Sequence, residues 1–585
     1  MSRALSIATS WLSALENSLK NNDIDAFLGC LEPQSWLRDL LIFSPNLQSR
    51  HGHSEIRNYL TNTFSQAGLS GFKIDESQYG SPKETEFGPG RPIIELSFDF
   101  ETPLGLGKGV ARINIPESEG TPRAMAVLFM LSNWKAFKEI SNESGVYDGH
   151  NLSWKEVREK QVEEIEKDPH VIIVGSAQSG LQVAARFRQM GIKTLVIEQT
   201  ARIGDVWRNR YPTLALHTPR AHHSFLYQPF PSNWPTFTSR DKLADWLEQY
   251  ATMQDLVVWT FTTLEPTPAY NTKTQRWNVT VNRNGSLITL HPRHLVMATS
   301  IFGDMRIPSL PGRDEFNGSI IHSSSFAGGQ GYTGKRVLVV GAGNSSVDIC
   351  QDLVFRGAQS VTMLQRSTTA VVSDKYLAAT FGNAFPEGKP TYYSDLSFAG
   401  LPIGLLEEFG KSVQPFQEEV DKELLSGLTD AGFNVKSGPD FSGQLLMVFS
   451  RGGGYFIDVG CGALIANGKV GIKQGVKIDH LKSNAVGFTD GTSIEVDDII
   501  LATGWHPVRD RLRRLFGDEV INRTSELWGS DEYGEIRAGY KPSGQPGLWF
   551  AVGDFAISRF YSKLLALQIK GLELGLLSSA QQSNL

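Results

Sequence analysis

The residues of this chain best placed to do chemistry lie in two glycine-bearing turns, each following a short apolar run. The first run is Val171-Ile172-Ile173-Val174, and it leads into Gly175-Ser176-Ala177-Gln178-Ser179-Gly180. The second is Val337-Leu338-Val339-Val340, and it leads into Gly341-Ala342-Gly343-Asn344-Ser345-Ser346. A buried strand, a tight turn and a helix start leave backbone N–H groups converging on one spot, where the partial positive charge of the helix end favours a phosphate. Two such turns in one chain imply two bound nucleotides, most simply a flavin and a nicotinamide.

In the first turn Gly175 supplies the bend and Gly180 allows helix and strand to pack closely. The middle position is Ala177, whose methyl stands where a diphosphate must approach the backbone. Glu198 closes the next strand, where a carboxylate can accept hydrogen bonds from a ribose diol. The second turn keeps Gly341 and Gly343, carries Asn344 and Ser345, and has Ser346 in the third small-residue slot. No acid follows its next strand; Gln365-Arg366-Ser367 stands there. The planar fork of Arg366 matches a 2′-phosphate, which predicts NADPH rather than NADH.

Elements that repeat must position these groups. After strand 171–174 come an amphipathic helix ending at Gly191 and a strand at 193–198. The same plan recurs as strand 337–340, a helix running to Gly357 and a strand at 360–364. Each half closes on a similar apolar strand, 295–300 and 499–504. This duplication predicts an α/β architecture of two nested Rossmann-like dinucleotide-binding domains. Residues 1–138 differ in texture. Helical patterning (Ile7, Trp11, Leu12, Leu15, then 24–31) precedes strand-like alternation at 93–100, 109–115 and 124–131, which predicts an α+β domain. The expected organisation is 1–138 as that domain, 139–168 as a charged linker with one exposed helix, 169–334 as the first part of the FAD domain, 335–480 as the NADPH domain, and 481–585 as the C-terminal part of the FAD domain. Segment 374–450, rich in Gly, Pro and Phe, reads as loops and helices covering a site.

Composition narrows the function classes. The chain has 585 residues, 40% hydrophobic and 20% charged, with a formal net charge of −6. Nothing in that balance favours a nucleic-acid partner. No run approaches the 18 or so apolar residues of a membrane span. The N-terminal stretch is amphipathic, carries Glu16 and has no cleavage signature, so no signal peptide is expected. Cys30, Cys350 and Cys461 are the only cysteines, and their spacing offers no dithiol centre, disulfide framework or metal site. A cytoplasmic location is expected.

One further string carries a resemblance. Phe316-Asn317-Gly318, then His322, then Phe326, has the F-x-G-x-x-x-H-x-x-x-F form that resembles the identifying sequence of class B flavin-containing monooxygenases; similar Baeyer–Villiger enzymes usually end it in Trp. The segment 202–211 resembles the family's stretch over the flavin, and Ala502-Thr503-Gly504 its second-half motif. The segment 547–554 resembles the strand that returns the C-terminal part to the flavin. The likeness covers about residues 169–575 and is nearest to fungal-type members with an N-terminal extension, here resembling a SnoaL-like cone domain. It implies FAD and NADPH as cofactors, with Trp207 and Asp554 beside the flavin. Phe316, Gly318, His322 and Phe326 would form a hinge between the nucleotide domains. The resemblance further implies that hydride from NADPH would reduce FAD, that dioxygen would add to give a 4a-hydroperoxyflavin, and that one oxygen atom would pass to a small organic substrate. Because the string ends in Phe326, N- or S-oxygenation is the leading expectation. Baeyer–Villiger oxidation of a ketone and a non-catalytic flavin-binding sensor or scaffold are the alternatives. His217 stands where animal-type enzymes place a flavin-edge asparagine, which makes it the candidate catalytic residue. Ser300 replaces the glycine of the first-half motif. The expected partners are the substrate and O2, with a homo-oligomer possible.

Overall fold

The computed structural model describes residues 2–115, 120–438, 440 and 442–578. The chain opens with helix Arg3–Lys20, capped by the Ser2 hydroxyl, which accepts the Leu5 N–H at 3.2 Å. Ala8, Trp11, Leu12 and Leu15 recur at helical spacing and are buried. The helical patterning from Ile24 is cut short, since the second helix is Ile24–Gly29 and Leu31 already begins strand Leu31–Leu40. Pro33 explains the change, because the residue before a proline is pushed into extended backbone.

A seven-stranded sheet follows, in the order Leu47–His51, Leu31–Leu40, Arg123–Trp134, Gly105–Asn114, Pro92–Glu101 and Ser70–Ile74, with Lys83–Glu86 also pairing to Pro92–Glu101. Only the Leu31–Leu40 and Arg123–Trp134 neighbours run parallel. Trp11, Phe27, Phe98 and Phe129 fill the core between this sheet and the first helices. The charged stretch beyond it forms helix Trp154–Lys167, held by a capping box between Ser153 and Glu156 and burying none of its residues.

Two parallel five-stranded sheets make up the rest of the scaffold. The first runs Val257–Trp259, Thr194–Ile197, Val171–Val174, His294–Met297, Leu548–Phe550. Its last strand comes from near the C-terminus. The second runs Ser319–His322, Asp498–Leu501, Arg336–Val340, Ser360–Gln365, Val470–Gln474. Two of these strands fall outside the expected 335–480 span, so the second unit is assembled from three stretches of chain. The reason is burial. Asp498–Leu501 is fully buried, and a parallel strand buried on both faces belongs inside a sheet rather than at a boundary. Segment 374–450 folds into helices Asp374–Ala384, Thr391–Ala399, Ile403–Val420, Lys422–Asp430 and Gln444–Arg451. Among the described residues no helix is long and apolar enough to cross a membrane.

Candidate active site

Both turns take the shape their sequences require. Gly175 and Gly341 have φ of +108° and +126°, and a Cβ on either would fall 2.6 Å from the Ala298 carbonyl oxygen or 2.3 Å from that of Ala502. Only glycine fits such positions. A Cβ on Gly180 would lie 1.9 Å from the Gly175 oxygen, which fixes the close approach of helix Gln178–Gln189 to its strand. Ala177, at φ −77° and ψ −172°, is in extended backbone open to any residue, so its methyl adds no strain. A Cβ on Gly343 would meet nothing nearer than 3.6 Å; the protein itself does not fill the space above that residue.

Neither helix that follows a turn is capped by a side chain. Ala177 precedes Gln178–Gln189 and Gly343 precedes Asn344–Phe355, and neither residue has a side-chain acceptor. The first-turn N–H groups are therefore left for a ligand. Buried orphan atoms lie nearby: the Trp207 indole nitrogen and the Ser346 hydroxyl have no hydrogen-bond partner. Uncapped helix starts, a clear cradle above Gly343 and unpaired buried polar atoms fit two bound dinucleotides.

Glu198, 8% exposed, faces the first turn. One carboxylate oxygen accepts from the backbone and hydroxyl of Ser176 at 3.0 and 2.8 Å, and the other accepts from those of Thr200 at 2.9 Å each. The acid is thus fixed beside the turn. After Ser360–Gln365 the chain splits inside from outside. Gln365 is buried and its amide donates to Thr369 and to the Asn434 carbonyl, whereas Arg366 is exposed and makes no ion pair among the described residues.

A cavity of about 390 Å³ lies where the two units meet. Trp207, His217 and Asp554 line it from the first unit, and Asn344, Ser345 and Asp348 from the second. Asp348 bridges them. Its carboxylate accepts the Tyr211 hydroxyl at 2.5 Å and lies 3.4 Å from His217 Nε2. Burial and the neighbouring Asp348 charge push the Tyr211 phenol far above its ordinary pKa, so it stays a donor. Asp348 was not singled out in the sequence, although it sits one helical turn beyond Asn344 and so on the same face. Asp554 caps helix Phe555–Glu573 by accepting the Ile557 N–H at 2.9 Å, and its other oxygen lies 3.5 Å from His222 Nε2. Burial lowers the His222 pKa, against the opposing pull of the Asp554 charge.

The residues expected to form a hinge lie around the edge strand of the second sheet. Phe316 joins the cluster containing Leu338, Leu364 and Ile499. A Cβ on Gly318 would lie 1.8 Å from the Asp497 oxygen. His322 Nδ1 accepts from the Ser324 N–H at 3.2 Å, and Nε2 donates to the Gly504 carbonyl at 3.1 Å. Burial lowers its pKa too, which suits a neutral, structural ring. Phe326 packs on Tyr211, ring centres 6.3 Å apart, linking this strand to the loop that carries His217.

Two buried ion pairs brace the cavity. Arg559 grips Asp395 with two hydrogen bonds of 2.6 Å. Arg38, from the N-terminal sheet, grips Glu535 at 2.8 and 2.6 Å and also donates to the Ala399 carbonyl and the Tyr561 hydroxyl. Both side chains of the first pair, and Arg38, are over nine-tenths buried. No local pattern announces pairs formed across such sequence separations.

Residues 168–379 match the family model described as flavin-binding monooxygenase-like. The chain is 30% identical over 342 residues to an indole-3-pyruvate monooxygenase, YUCCA8, of Oryza sativa subsp. indica, spanning 57% of this chain and 75% of that protein. A second relative, YUCCA1 of Oryza sativa subsp. japonica, is 29% identical over 343 residues, spanning 58% and 77%. The chain belongs to the flavin-binding monooxygenase family. As a member it is an enzyme, a flavoprotein oxidoreductase of the monooxygenase kind. In fold it is similar to cyclohexanone monooxygenase in its loose conformation, with a TM-score of 0.51, 16% identity, and coverage of 69% of this chain and 88% of that one.

Proposed function

We propose that this protein oxygenates a soft nitrogen or sulfur atom of a small organic molecule, consuming NADPH and O2. The observation that carries the reading is the shared cavity. Side chains that follow each nucleotide turn line one chamber, and Asp348 ties the loop of one unit to the helix of the other. A reduced flavin held there would supply the chemistry that activates dioxygen and delivers one oxygen atom to the substrate. The first turn, Glu198, Trp207 and Asp554 would hold FAD; Gly341, Gly343, Asn344, Ser345 and Ser346 would hold the NADPH diphosphate, and Arg366 its 2′-phosphate. His217, with Nε2 toward Asp348, can hold a proton or donate it at the cavity wall. The apolar lining keeps water away from the reacting atoms. Phe316, Gly318, His322 and Phe326 act as the joint between the units. All three cysteines are buried and free, which suits a reducing cytoplasm.

The test is a redox titration with product analysis. The purified yellow protein should bleach when NADPH is added without air, and on aeration with a sulfide it should yield sulfoxide in proportion to NADPH consumed. Peroxide as the sole product, or a ketone panel converted to esters while sulfides are untouched, would replace this reading. Arg366→Ala should raise the NADPH concentration needed for half-maximal reduction about tenfold or more while leaving the NADH requirement within twofold, the size of a lost charge-assisted hydrogen bond. Equal effects on both coenzymes would remove the 2′-phosphate role.

A further inference from the structure

The N-terminal sheet is buried on both faces. Successive side chains of a strand point to opposite faces. Along Arg123–Trp134, Val127 and Phe129 pack with Trp11 and Phe27, whereas Leu128 and Met130 share a core with Leu396, Ala399 and Ile403. This second face also carries Arg38 and Arg112, each 4% exposed. Helix Thr391–Ala399 ends against them. The last carbonyls of a helix have no partner inside it. Arg38 donates to the Ala399 carbonyl at 2.6 Å, and Arg112 donates to those of Ser397 and Gly400 at 2.7 and 2.8 Å. Glu95 stands opposite Arg112 in the sheet. It accepts from Arg112 at 2.7 Å and from the Ser397 hydroxyl at 2.9 and 3.0 Å. Helix Ile403–Val420 lies just as close to the sheet. A Cβ on Gly404 would fall 2.2 Å from the Trp36 ring. That ring is itself held, since its indole nitrogen donates to Glu408 at 3.1 Å and it stacks on His51 with centres 4.4 Å apart. The same two helices and their connection wall the cavity through Phe398, Ala399, Leu401, Ile403 and Leu406.

We infer that Arg38, Arg112 and Trp36 of the N-terminal sheet are positioning residues for the oxygenation: by fixing the wall at 398–406 they set the depth of the chamber, and with it the length of apolar chain that a substrate can carry. The inference rests on the monooxygenase reading above and deepens it. Protein interiors are close-packed, so a wall tied at its helix end cannot yield locally to a longer ligand. Two changes outside the cavity lining should move the wall in opposite directions. Arg112→Lys keeps a charge opposite Glu95 but lacks the planar fork that reaches the carboxylate and both carbonyls. A longer ligand can then push the freed wall back toward the sheet. Gly404→Ala places a methyl against the held Trp36 ring, which drives helix Ile403–Val420 away from the sheet and into the chamber.

A series of alkyl phenyl sulfides, from methyl to octyl, tests this on the full-length FAD-loaded protein, with binding measured by equilibrium dialysis without NADPH. In wild type, affinity should rise about fourfold per added methylene and then stop rising at one chain length, where the wall is met. In Arg112→Lys that limit should lie at least one methylene further on, and in Gly404→Ala at least one methylene earlier. Each shift is a change of about fourfold or more in preference between neighbouring sulfides. A merely structural defect would lower FAD content and weaken all sulfides alike, leaving the limit where it was. If Arg112→Lys does not accumulate with FAD bound, Gly404→Ala decides alone. No limit in wild type, an unmoved limit in the variants, or shifts in the same direction would overturn the assignment. Anaerobic bleaching by NADPH and sulfoxide formation on aeration, measured in the same preparations, test the redox reading separately, and bleaching rates should stay within about threefold of wild type in both variants. Bleaching and sulfoxide with an unmoved limit sink only the role of the sheet, and opposite shifts without bleaching sink only the redox reading.

Discussion

Gly341→Val should give a protein that is still yellow but can no longer be reduced by NADPH. Gly341 has φ +126°, and its Cβ would sit 2.3 Å from the Ala502 carbonyl oxygen. A β-branched residue there meets backbone strain of about 1–3 kcal/mol in addition to the clash. The strand end must move, and the N–H groups at the start of Asn344–Phe355 then cease to converge on one phosphate. The loss should exceed a hundredfold in the rate of anaerobic flavin reduction at fixed NADPH. FAD content should remain near one per chain, because the Gly175 turn belongs to the other sheet and meets a different carbonyl, that of Ala298. Stopped-flow absorbance and the flavin spectrum of the purified protein decide it. A colourless variant would mean that the second turn holds FAD and that the two sites must be exchanged.

The second large effect concerns stability. Asp395→Ala should destabilise the protein by about 3–5 kcal/mol, the usual consequence of leaving one member of a buried ion pair uncompensated. The Arg559 guanidinium lies fully inside the protein and also donates to the His222 and Ser224 carbonyls, so it cannot turn toward water. Burial raises the Asp395 pKa and the Arg559 charge opposes that rise. The combination Asp395→Leu with Arg559→Met should recover most of the loss, since it removes both charges and keeps apolar volume. Thermal melts of the single and double variants provide the cycle. A single variant as stable as wild type would show that the pair is solvated. The functional consequence follows from position. Asp395 lies on Thr391–Ala399, and Arg559 lies on the helix that Asp554 caps, so the pair fastens the cavity's cover to its floor.

Much of this protein was legible in its sequence. The turns at Gly175 and Gly341 could be read because strand, turn and helix are contiguous and their periodicity changes within a dozen residues. The α/β class followed from that unit occurring twice. The exposed linker helix was announced by its charge, carried by Glu156, Glu159, Glu163, Glu164 and Glu166. Other features lay beyond such reading. Helical spacing from Ile24 ran past the true helix end, which Pro33 imposes. The strands Ser319–His322 and Asp498–Leu501 looked like parts of the flanking segments, and only pairing across the second sheet assigned them to it.

What the sequence alone determined is local. It set where the chain must turn tightly, which helix starts lack a side-chain cap, and which faces are apolar, because each depends on residues a few positions apart. What the tertiary structure decided is which distant groups meet. The chain brings Asp348 to Tyr211 and His217, Arg38 to Glu535, and Asp395 to Arg559. Those meetings leave no periodic trace, because a buried charge is satisfied by whatever partner folding delivers, at any separation along the chain, and single side chains of ordinary type carry no mark of the neighbour they will find.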